Sequence, residues 1–483
     1  MEPVSSDYRL YIDGAWCDAA AKGSLGVMDP ALGEVFAEVA YAGREDARRA
    51  IAAAERAFPG WSRLLVYERA DQVKRVADLL RERADLIARL VTREVGKPLA
   101  EAKGEVMGAA AVWEWSAEES KRLAGEWMPT HVGGKRMLTM RMPVGVVGAI
   151  APWNFPVLLI SRKLAPALAV GCTVIAKPAT KTPLATIELF RCLEQAGFPA
   201  GVANLVIGPP GEVADEFIKN PSVRKVSFTG SVAVGKQLMA EAAPQLKKLS
   251  LELGGHAPFI VAPDVPVAEA AEKAVGAKFR NMGQVCISPS RFYVPEKMAE
   301  AFTDAAAQRA GELRIGPGLE PGTQVGPLVD EDRVKATEAL VADLEAKDGT
   351  IVCGGRRPAG EKYRKGCYFE PTVATGITRE MRIMQEEPFA PILPIIPYHD
   401  LEEAIREAND TPFGLAAYVV THDLGTAFRL GEALEAGIIS INDPSPSAAQ
   451  LPFGGMKQSG LGREGGRYGL EAYTEVKYMS IWL

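Results

Sequence analysis

The chain has 483 residues, of which 47% are hydrophobic, and a formal net charge of −6. This charge provides no basic face for nucleic acid, while the length suffices for two or three domains with cores of their own. The sequence has no uninterrupted apolar segment of membrane-spanning length and no leader-like start, so we expect a cytoplasmic protein without a membrane partner. Six cysteines without a CxxC pair argue against a disulfide framework or a metal site.

The first third of the sequence predicts helices. In residues 45–58 the apolar positions recur about every 3.6 residues, and Pro59 and Gly60 are expected to end that helix. Residues 70–92 continue the same pattern over a greater length.

From residue 143 short apolar segments alternate with helical ones. The alternation predicts a parallel sheet with helices on both faces, and ligands bind such sheets at the carboxyl ends of the strands. The predicted strands are residues 144–150, 172–176, 203–207 and 225–228, and the predicted helices are residues 157–170 and 183–196.

A second unit is expected to begin near Gly254. It has strand-like segments at 258–261, 291–294 and 416–420 and helical segments at 266–281 and 297–313. Cys286 and Glu252 then fall near the seam between the two units, where active sites are common.

Cys286 ends a polar, glycine-containing segment, and Glu252 stands beside two glycines. A thiolate attacks carbonyl carbon well, and a carboxylate can afterwards activate water. The pair therefore points to acyl chemistry through a thioester. The alternative is that Cys286 is an inert buried side chain, as we interpret the other five cysteines.

Three further motifs each allow two interpretations. Residues 228–235 follow a predicted strand and open a helix, which suits a pyrophosphate, but their GxxxxG spacing differs from GxGxxG and fits a plain turn equally well. Lys177 at a strand end can reach a ribose or phosphate, or can be a solvated surface lysine. Asn154, between aromatic residues and prolines, can donate to an oxyanion or belong to an ordinary turn.

Seven segments together closely resemble the aldehyde dehydrogenase superfamily, in its order and spacing, from about residue 8 to the C-terminus. Within that superfamily the sequence is most similar to succinate-semialdehyde and 2-oxoglutarate-semialdehyde dehydrogenases. The segments are PWNFP (152–156), KP (177–178), FTGS (228–231), ELGG (252–255), GQVC (283–286), EPF (387–389) and PFGG (452–455).

The resemblance implies an α/β fold with three parts. Residues 1–123 and 143–253 would form a Rossmann-type parallel-sheet domain that binds NAD(P), and residues 254–444 an α/β catalytic domain. Residues 124–142 and 445–483 would form a bridging element, whose β-flap (124–142 with the strand at 474–482) joins a homodimer or homotetramer. The five-stranded cofactor fold of the family also fits the departure from GxGxxG.

The resemblance further implies the roles of individual residues. Cys286 would be the nucleophile, Glu252 the general base, and Asn154, with the Cys286 backbone N–H, the oxyanion hole. The cofactor-binding residues would be Trp153, Lys177 (adenosine ribose), Thr180, Gly230, Ser231 (pyrophosphate), Glu387 (nicotinamide ribose) and Phe389 (nicotinamide side). Retention of Glu252 favours hydrolysis over the CoA-acylating branch, whose members lack that base.

Thr180 bears on the choice of cofactor, NADP or NAD. Many NAD-preferring members of the superfamily carry glutamate there, which repels a 2′-phosphate. Neutral Thr180, close in sequence to Lys177 and Lys181, removes that repulsion, so we expect NADP to be accepted.

Arg162, Arg280 and Ser447 match the positions at which the semialdehyde dehydrogenases bind the far carboxylate of the substrate, and arginine suits carboxylate recognition. Residues 443–450 depart from the commonest succinate-semialdehyde pattern, so the chain length of the diacid stays open. An aldehyde with an ω-sulfonate and an aromatic aldehyde that bears an acid also stay open as substrates. The alternative is that these arginines only form structural contacts. The sequence would then fit an aldehyde dehydrogenase of broad specificity for aliphatic or aromatic aldehydes. A non-catalytic scaffold is disfavoured because Cys286 and Glu252 are both present.

Overall fold

The structure is a computed structural model that describes residues 7–483. Its strands are β1 (Leu10–Ile12), β2 (Ala15–Cys17), β3 (Gly23–Asp29), β4 (Glu34–Tyr41), β5 (Trp127–Met128), β6 (Lys135–Pro143), β7 (Val146–Ile150), β8 (Thr173–Lys177), β9 (Ala203–Leu205), β10 (Val223–Thr229), β11 (Lys248–Glu252), β12 (Ala257–Val261), β13 (Pro289–Pro295), β14 (Thr350–Cys353), β15 (Thr372–Thr375), β16 (Ile392–Tyr398), β17 (Ala416–Val420), β18 (Ile438–Ile441), β19 (Gly460–Leu461) and β20 (Thr474–Trp482).

The helices lie between these strands and cover both large sheets. They are α1 (Arg44–Arg63), α2 (Val66–Glu82), α3 (Ala84–Val95), α4 (Leu99–Ser120), α5 (Leu158–Val170), α6 (Leu184–Gln195), α7 (Pro210–Lys219), α8 (Val232–Ala242), α9 (Val267–Phe279), α10 (Glu296–Gly311), α11 (Glu331–Ala346), α12 (Arg382–Gln385), α13 (Leu401–Asn409), α14 (Leu424–Ala433) and α15 (Gly466–Glu471).

The first sheet has eight strands in the order β19-β11-β10-β7-β8-β9-β1-β2. The middle strands, β11 to β9, are all parallel. Because β7 lies between β8 and β10, the strand order reverses there, and ligands of open α/β sheets bind at such a switch point. The chain after β7 carries Trp153 and Asn154, and the chain after β10 carries Gly230 and Ser231.

The second sheet has seven strands in the order β14-β15-β16-β13-β12-β17-β18. Its strands are parallel except for the β14–β15 pair. Their nearly continuous apolar sequences are buried, as expected of a parallel sheet covered by helices.

A separate three-stranded sheet, β20-β6-β5, contains the segments that the sequence assigned to a β-flap. The short strand β19 departs from the predicted division of the chain. It lies in the segment 445–483 that was predicted to bridge subunits, yet it pairs with β11 at the edge of the eight-stranded sheet.

The prediction that Pro59 and Gly60 end the first helix was wrong, since α1 continues to Arg63. The reason is tertiary packing: Trp61 is buried, and its indole N–H donates to the Leu168 carbonyl at 3.2 Å. That contact offsets the roughly 3 kcal/mol that proline costs a helix. The continuous pattern at 70–92 is divided into α2 and α3 at Arg83.

Candidate active site

The segment before Cys286 has an unusual backbone. After α9 ends at Phe279, three successive residues adopt the left-handed conformation: Asn281 (φ 45°), Met282 (φ 57°) and Gly283 (φ 71°). A side chain at Gly283 would meet the Ala390 carbonyl oxygen at 2.4 Å. This turn directs Cys286 into a cavity, and such strained segments cluster at functional sites.

Cys286 lines a cavity of about 260 Å³ between the two large sheets, at the switch point of the first sheet. Five of the residues predicted to bind cofactor line the same cavity. These are Trp153, Gly230, Ser231, Glu387 and Phe389.

The electrostatics around Cys286 keep its thiol protonated. Burial is the main cause that raises the thiol pKa, to about 12, and the carboxylates of Glu387 and Glu252 raise it further. Arg162 and Arg280 act in the opposite direction. Because only the thiolate is strongly nucleophilic, the reaction has to remove this proton.

Glu252 ends β11 and is buried. Among the described residues, neither carboxylate oxygen has a hydrogen-bond partner. Burial raises the pKa of this carboxyl well above its usual value, and the Glu464 carboxylate raises it further. A carboxyl with a raised pKa and free oxygens is suited to take a proton from water near neutral pH.

Lys163 and Glu464 complete a buried charged group beside Glu252, and the sequence analysis did not identify them. Lys163 Nζ lies 2.5 Å from Glu464 Oε1 and 2.7 Å from Thr229 Oγ1. The two partners are 301 residues apart in sequence, so no local pattern indicates the pair. The local signal is a second charged residue, directly after Arg162, in the mostly apolar helix α5.

Asn154 is buried near the nucleophile. Its side-chain Nδ2 donates to the Gln284 carbonyl at 3.1 Å, which leaves its second N–H for another acceptor. Its backbone carbonyl accepts a hydrogen bond of 2.6 Å from Lys97, which forms a buried ion pair of 2.7 Å with Glu105. Neither Lys97 nor Glu105 was identified from the sequence.

The cavity that contains Cys286 is also lined by groups suited to a dinucleotide. Ser231 is the N-cap of α8, so the N-terminus of that helix faces the cavity. Glu387 Oε1 accepts from the Gly255 N–H at 3.1 Å, and burial raises the Glu387 pKa to about 7. A side chain at Gly254 would stand 2.5 Å from Glu387 Oε2. Glycine there keeps the space open, and the residues present fit the nicotinamide cofactor.

Lys177 and Thr180 are placed differently from the other cofactor residues, since neither lines this cavity. Lys177 is buried at the end of β8 and donates to the Pro178 carbonyl at 3.3 Å. Burial lowers its pKa to about 8. Thr180 is half-buried in the connection between β8 and α6.

A second cavity, of about 440 Å³, contains all three residues predicted to bind substrate. Arg162 donates to Ser447 Oγ at 2.7 Å, and Arg280 donates to Ser445 Oγ at 2.6 Å. Ser445 was not singled out from the sequence. Among the described residues neither guanidinium lies within ion-pair distance of a carboxylate, although Glu101 and Glu105 line the same cavity. Burial raises the pKa of Glu101, and Arg280 is close enough to that carboxyl to oppose the rise.

Neither a membrane-spanning helix nor a metal site is present in the part of the chain that the structure describes. No helix there is long and apolar enough to cross a membrane. No group of three or more His, Cys, Asp or Glu side chains there can hold a metal ion.

Residues 16–479 match the aldehyde dehydrogenase family, and the chain belongs to that family. It is 46% identical to the succinate-semialdehyde dehydrogenase (NADP(+)) GabD of Escherichia coli strain K12, over 98% of both chains. It is 45% identical to a glutarate-semialdehyde dehydrogenase of Pseudomonas aeruginosa, over 98% of this chain and 97% of the relative. The crystal structure of succinate-semialdehyde dehydrogenase from Burkholderia pseudomallei superposes with a TM-score of 0.97, at 45% identity over 100% of both chains.

Proposed function

We propose that the chain oxidises an acidic semialdehyde to the corresponding dicarboxylic acid, with NADP or NAD as hydride acceptor. The observation that carries this proposal is the pair of guanidiniums, Arg162 and Arg280, in the cavity of about 440 Å³. Two guanidiniums without a carboxylate at ion-pair distance attract an anion, and arginine binds carboxylates in a bidentate manner. The semialdehyde dehydrogenases that the chain resembles support the same substrate class.

In the proposed reaction the Cys286 thiol loses its proton to water in the cavity, and the resulting thiolate adds to the aldehyde carbon. Asn154 Nδ2 and the Cys286 N–H stabilise the developing oxyanion, and fixed donors of this kind are worth about 3–4 kcal/mol each. A nicotinamide cofactor held by Ser231, Glu387 and Phe389 would supply the acceptor for the hydride from that carbon. A thioester then remains on Cys286.

Glu252 completes the reaction by taking a proton from water. The resulting hydroxide adds to the thioester carbon, the carbon–sulfur bond breaks, and the acid leaves while the Cys286 thiolate is regenerated. Unpartnered oxygens on Glu252 and its raised pKa support this role. The roles of Trp153, Gly230, Ser231, Glu387 and Phe389 in holding the cofactor are supported by their common cavity.

We infer further that NADP is accepted, because Thr180 carries no charge that would repel a 2′-phosphate. We also infer that the three-stranded sheet joins subunits into a homodimer or homotetramer. Strand β20 is exposed along most of its length and carries large apolar side chains, including Tyr478 and Trp482. Long exposed strands of this composition are rare in monomers.

The function is tested by the formation of reduced cofactor with succinate semialdehyde, glutarate semialdehyde and uncharged butanal, each with NADP and NAD. A large advantage in kcat/KM for the acidic aldehydes would support the proposal. Equal values for all three would favour the broad aldehyde dehydrogenase. Succinate and glutarate semialdehyde differ by one methylene, so their ratio reports the length of the site.

A further inference from the structure

One ion pair spans the cavity that contains Cys286. Lys181 stands in the connection after β8, and it pairs with Asp330, which is the N-cap residue of α11. Both residues line the cavity. Their side chains keep 49% and 24% of their surface exposed, so the pair lies at the solvent side of the cavity.

The two walls of the cavity differ in charge. On one wall α8 begins with Ser231 and has no acidic residue in its first turn, so its N–H groups favour phosphate. On the other wall α11 begins with Asp330, whose carboxylate accepts from the Arg333 N–H at 2.9 Å, and Asp332 follows in the first turn. These carboxylates offset the positive end of the helix dipole, while the Arg333 side chain, which also lines the cavity, adds a positive charge to the same wall.

The cavity is small for the ligand that it receives. Its volume of about 260 Å³ lies below the roughly 300–1,000 Å³ of typical ligand sites. A dinucleotide therefore extends past the rim. Lys181 directly follows Thr180, beside which the 2′-phosphate of NADP is expected, so that phosphate comes close to the Lys181–Asp330 pair. NADP differs from NAD by one phosphate monoester, which carries about −1.5 to −2 charges at neutral pH.

We propose that Asp330 sets the preference between NADP and NAD by competing with the 2′-phosphate for Lys181. To bind that phosphate, Lys181 has to leave Asp330, and Asp330 then stands unpaired beside a dianion. NAD has no such group and leaves the pair intact. The inference rests on the cofactor part of the proposed function, and it places the control of selectivity on α11 rather than on Thr180 alone.

The test is the Kd of NADP and of NAD, measured by calorimetry or by quenching of tryptophan fluorescence, since Trp153 lines the cavity. Asp330→Asn keeps the helix cap, because asparagine caps as well as aspartate. It should lower the Kd of NADP about threefold to fivefold, the range for a half-exposed ion pair, and leave that of NAD unchanged. The effect should shrink at high salt.

Two further variants distinguish competition for Lys181 from a general effect of negative charge on phosphate binding. Asp332→Asn makes the same charge change on the same turn without breaking the Lys181 pair, so it should change the Kd of NADP less than Asp330→Asn does. Lys181→Met should weaken NADP binding, and adding Asp330→Asn to Lys181→Met should give no threefold gain, because the two residues act through one contact.

Three results would overturn the inference: an equal gain for NADP and NAD in Asp330→Asn, an equal gain in Asp332→Asn, or a full gain in the Lys181→Met background. Failure of the unaltered protein to bind NADP would contradict the cofactor part of the proposed function. That result would overturn the inference as well, whereas NADP binding without the predicted differences among the variants would overturn the inference alone.

Discussion

Lys163 and Glu464 form an ion pair with 2.5 Å between Nζ and Oε1, and they expose 0% and 3% of their side chains. Glu464 is the charged group that most raises the pKa of Glu252, and Lys163 is the one that most lowers it. Burial is the largest cause of the raised pKa of Glu252, and this ion pair modifies it further in both directions. Because the pKa of Glu252 is raised, its active carboxylate form is gained as the pH rises, and turnover should rise with it.

Glu464→Gln should shift the rising limb of the pH profile of kcat to lower pH. The substitution removes a negative charge near Glu252 and leaves Lys163 unneutralised, and both changes lower the pKa of Glu252. Lys163→Met is the opposite control and should shift the limb to higher pH. A shift of the limb in the same direction in both variants would contradict the assignment of Glu252 as the titrating base. Thermal unfolding would verify that both variants remain folded.

Glu252→Gln should permit one turnover and then stop. Formation of the thioester does not need Glu252, because the Cys286 proton passes to water, whereas hydrolysis of the thioester does need this base. Rapid mixing should give a burst of about one equivalent of reduced cofactor per active site, followed by a slow phase, and mass spectrometry should detect the acylated protein. Cys286→Ala should give no burst. A Glu252→Gln variant with normal steady-state turnover would exclude this residue as the base.

Lys97→Met should lower the free energy of unfolding by about 3–5 kcal/mol, because it leaves the carboxylate of Glu105 buried without its partner. The Lys97–Glu105 pair exposes 0% of either side chain. Lys103→Met is the matched control, since Lys103 and Asp85 form a pair that is 53% and 81% exposed and should lose less than about 1 kcal/mol. Denaturant titration measures the free energy of unfolding of both variants. Equal losses would contradict the claim that the buried pair contributes more than the exposed pair.

Tyr478→Glu should reduce the oligomer to smaller species in light scattering. Tyr478 is 77% exposed on β20, and a charge there would oppose burial against a second subunit. Tyr67→Glu places the same change on another exposed tyrosine, which lies on α2 and is 63% exposed, and it should leave the mass unchanged. An unchanged mass in Tyr478→Glu would argue against the flap as the interface.

The parallel sheets follow from the sequence because each strand is a short apolar segment between helical segments. The predicted strand at 225–228 lies within β10, and the predicted helix at 183–196 corresponds to α6. Helix ends were less predictable. The signal of Pro59 is local, whereas the burial of Trp61 that overrides it depends on α5.

The residues of the candidate site likewise fall into those that the sequence predicts and those that it does not. Cys286, Glu252 and Asn154 stand in short motifs with distinctive neighbours, and these motifs identified them. Lys163 and Glu464, or Arg280 and Ser445, become partners only through contacts between residues 165 or more positions apart. No local pattern encodes such contacts. The position of Lys177 also depended on the fold, because burial at the end of β8 removes it from the cavity lining.

The central claim is that the guanidiniums of Arg162 and Arg280 recognise the carboxylate of the substrate. The most direct measurement is the ratio of kcat/KM for succinate semialdehyde to that for butanal, in the unaltered protein and in Arg280→Met. A hydrogen bond to a charged group contributes about 1.5–3 kcal/mol, so the ratio should fall by about tenfold to a hundredfold, with butanal little affected. An equal loss for both aldehydes, or an unchanged ratio, would contradict the claim and leave a structural role for Arg280.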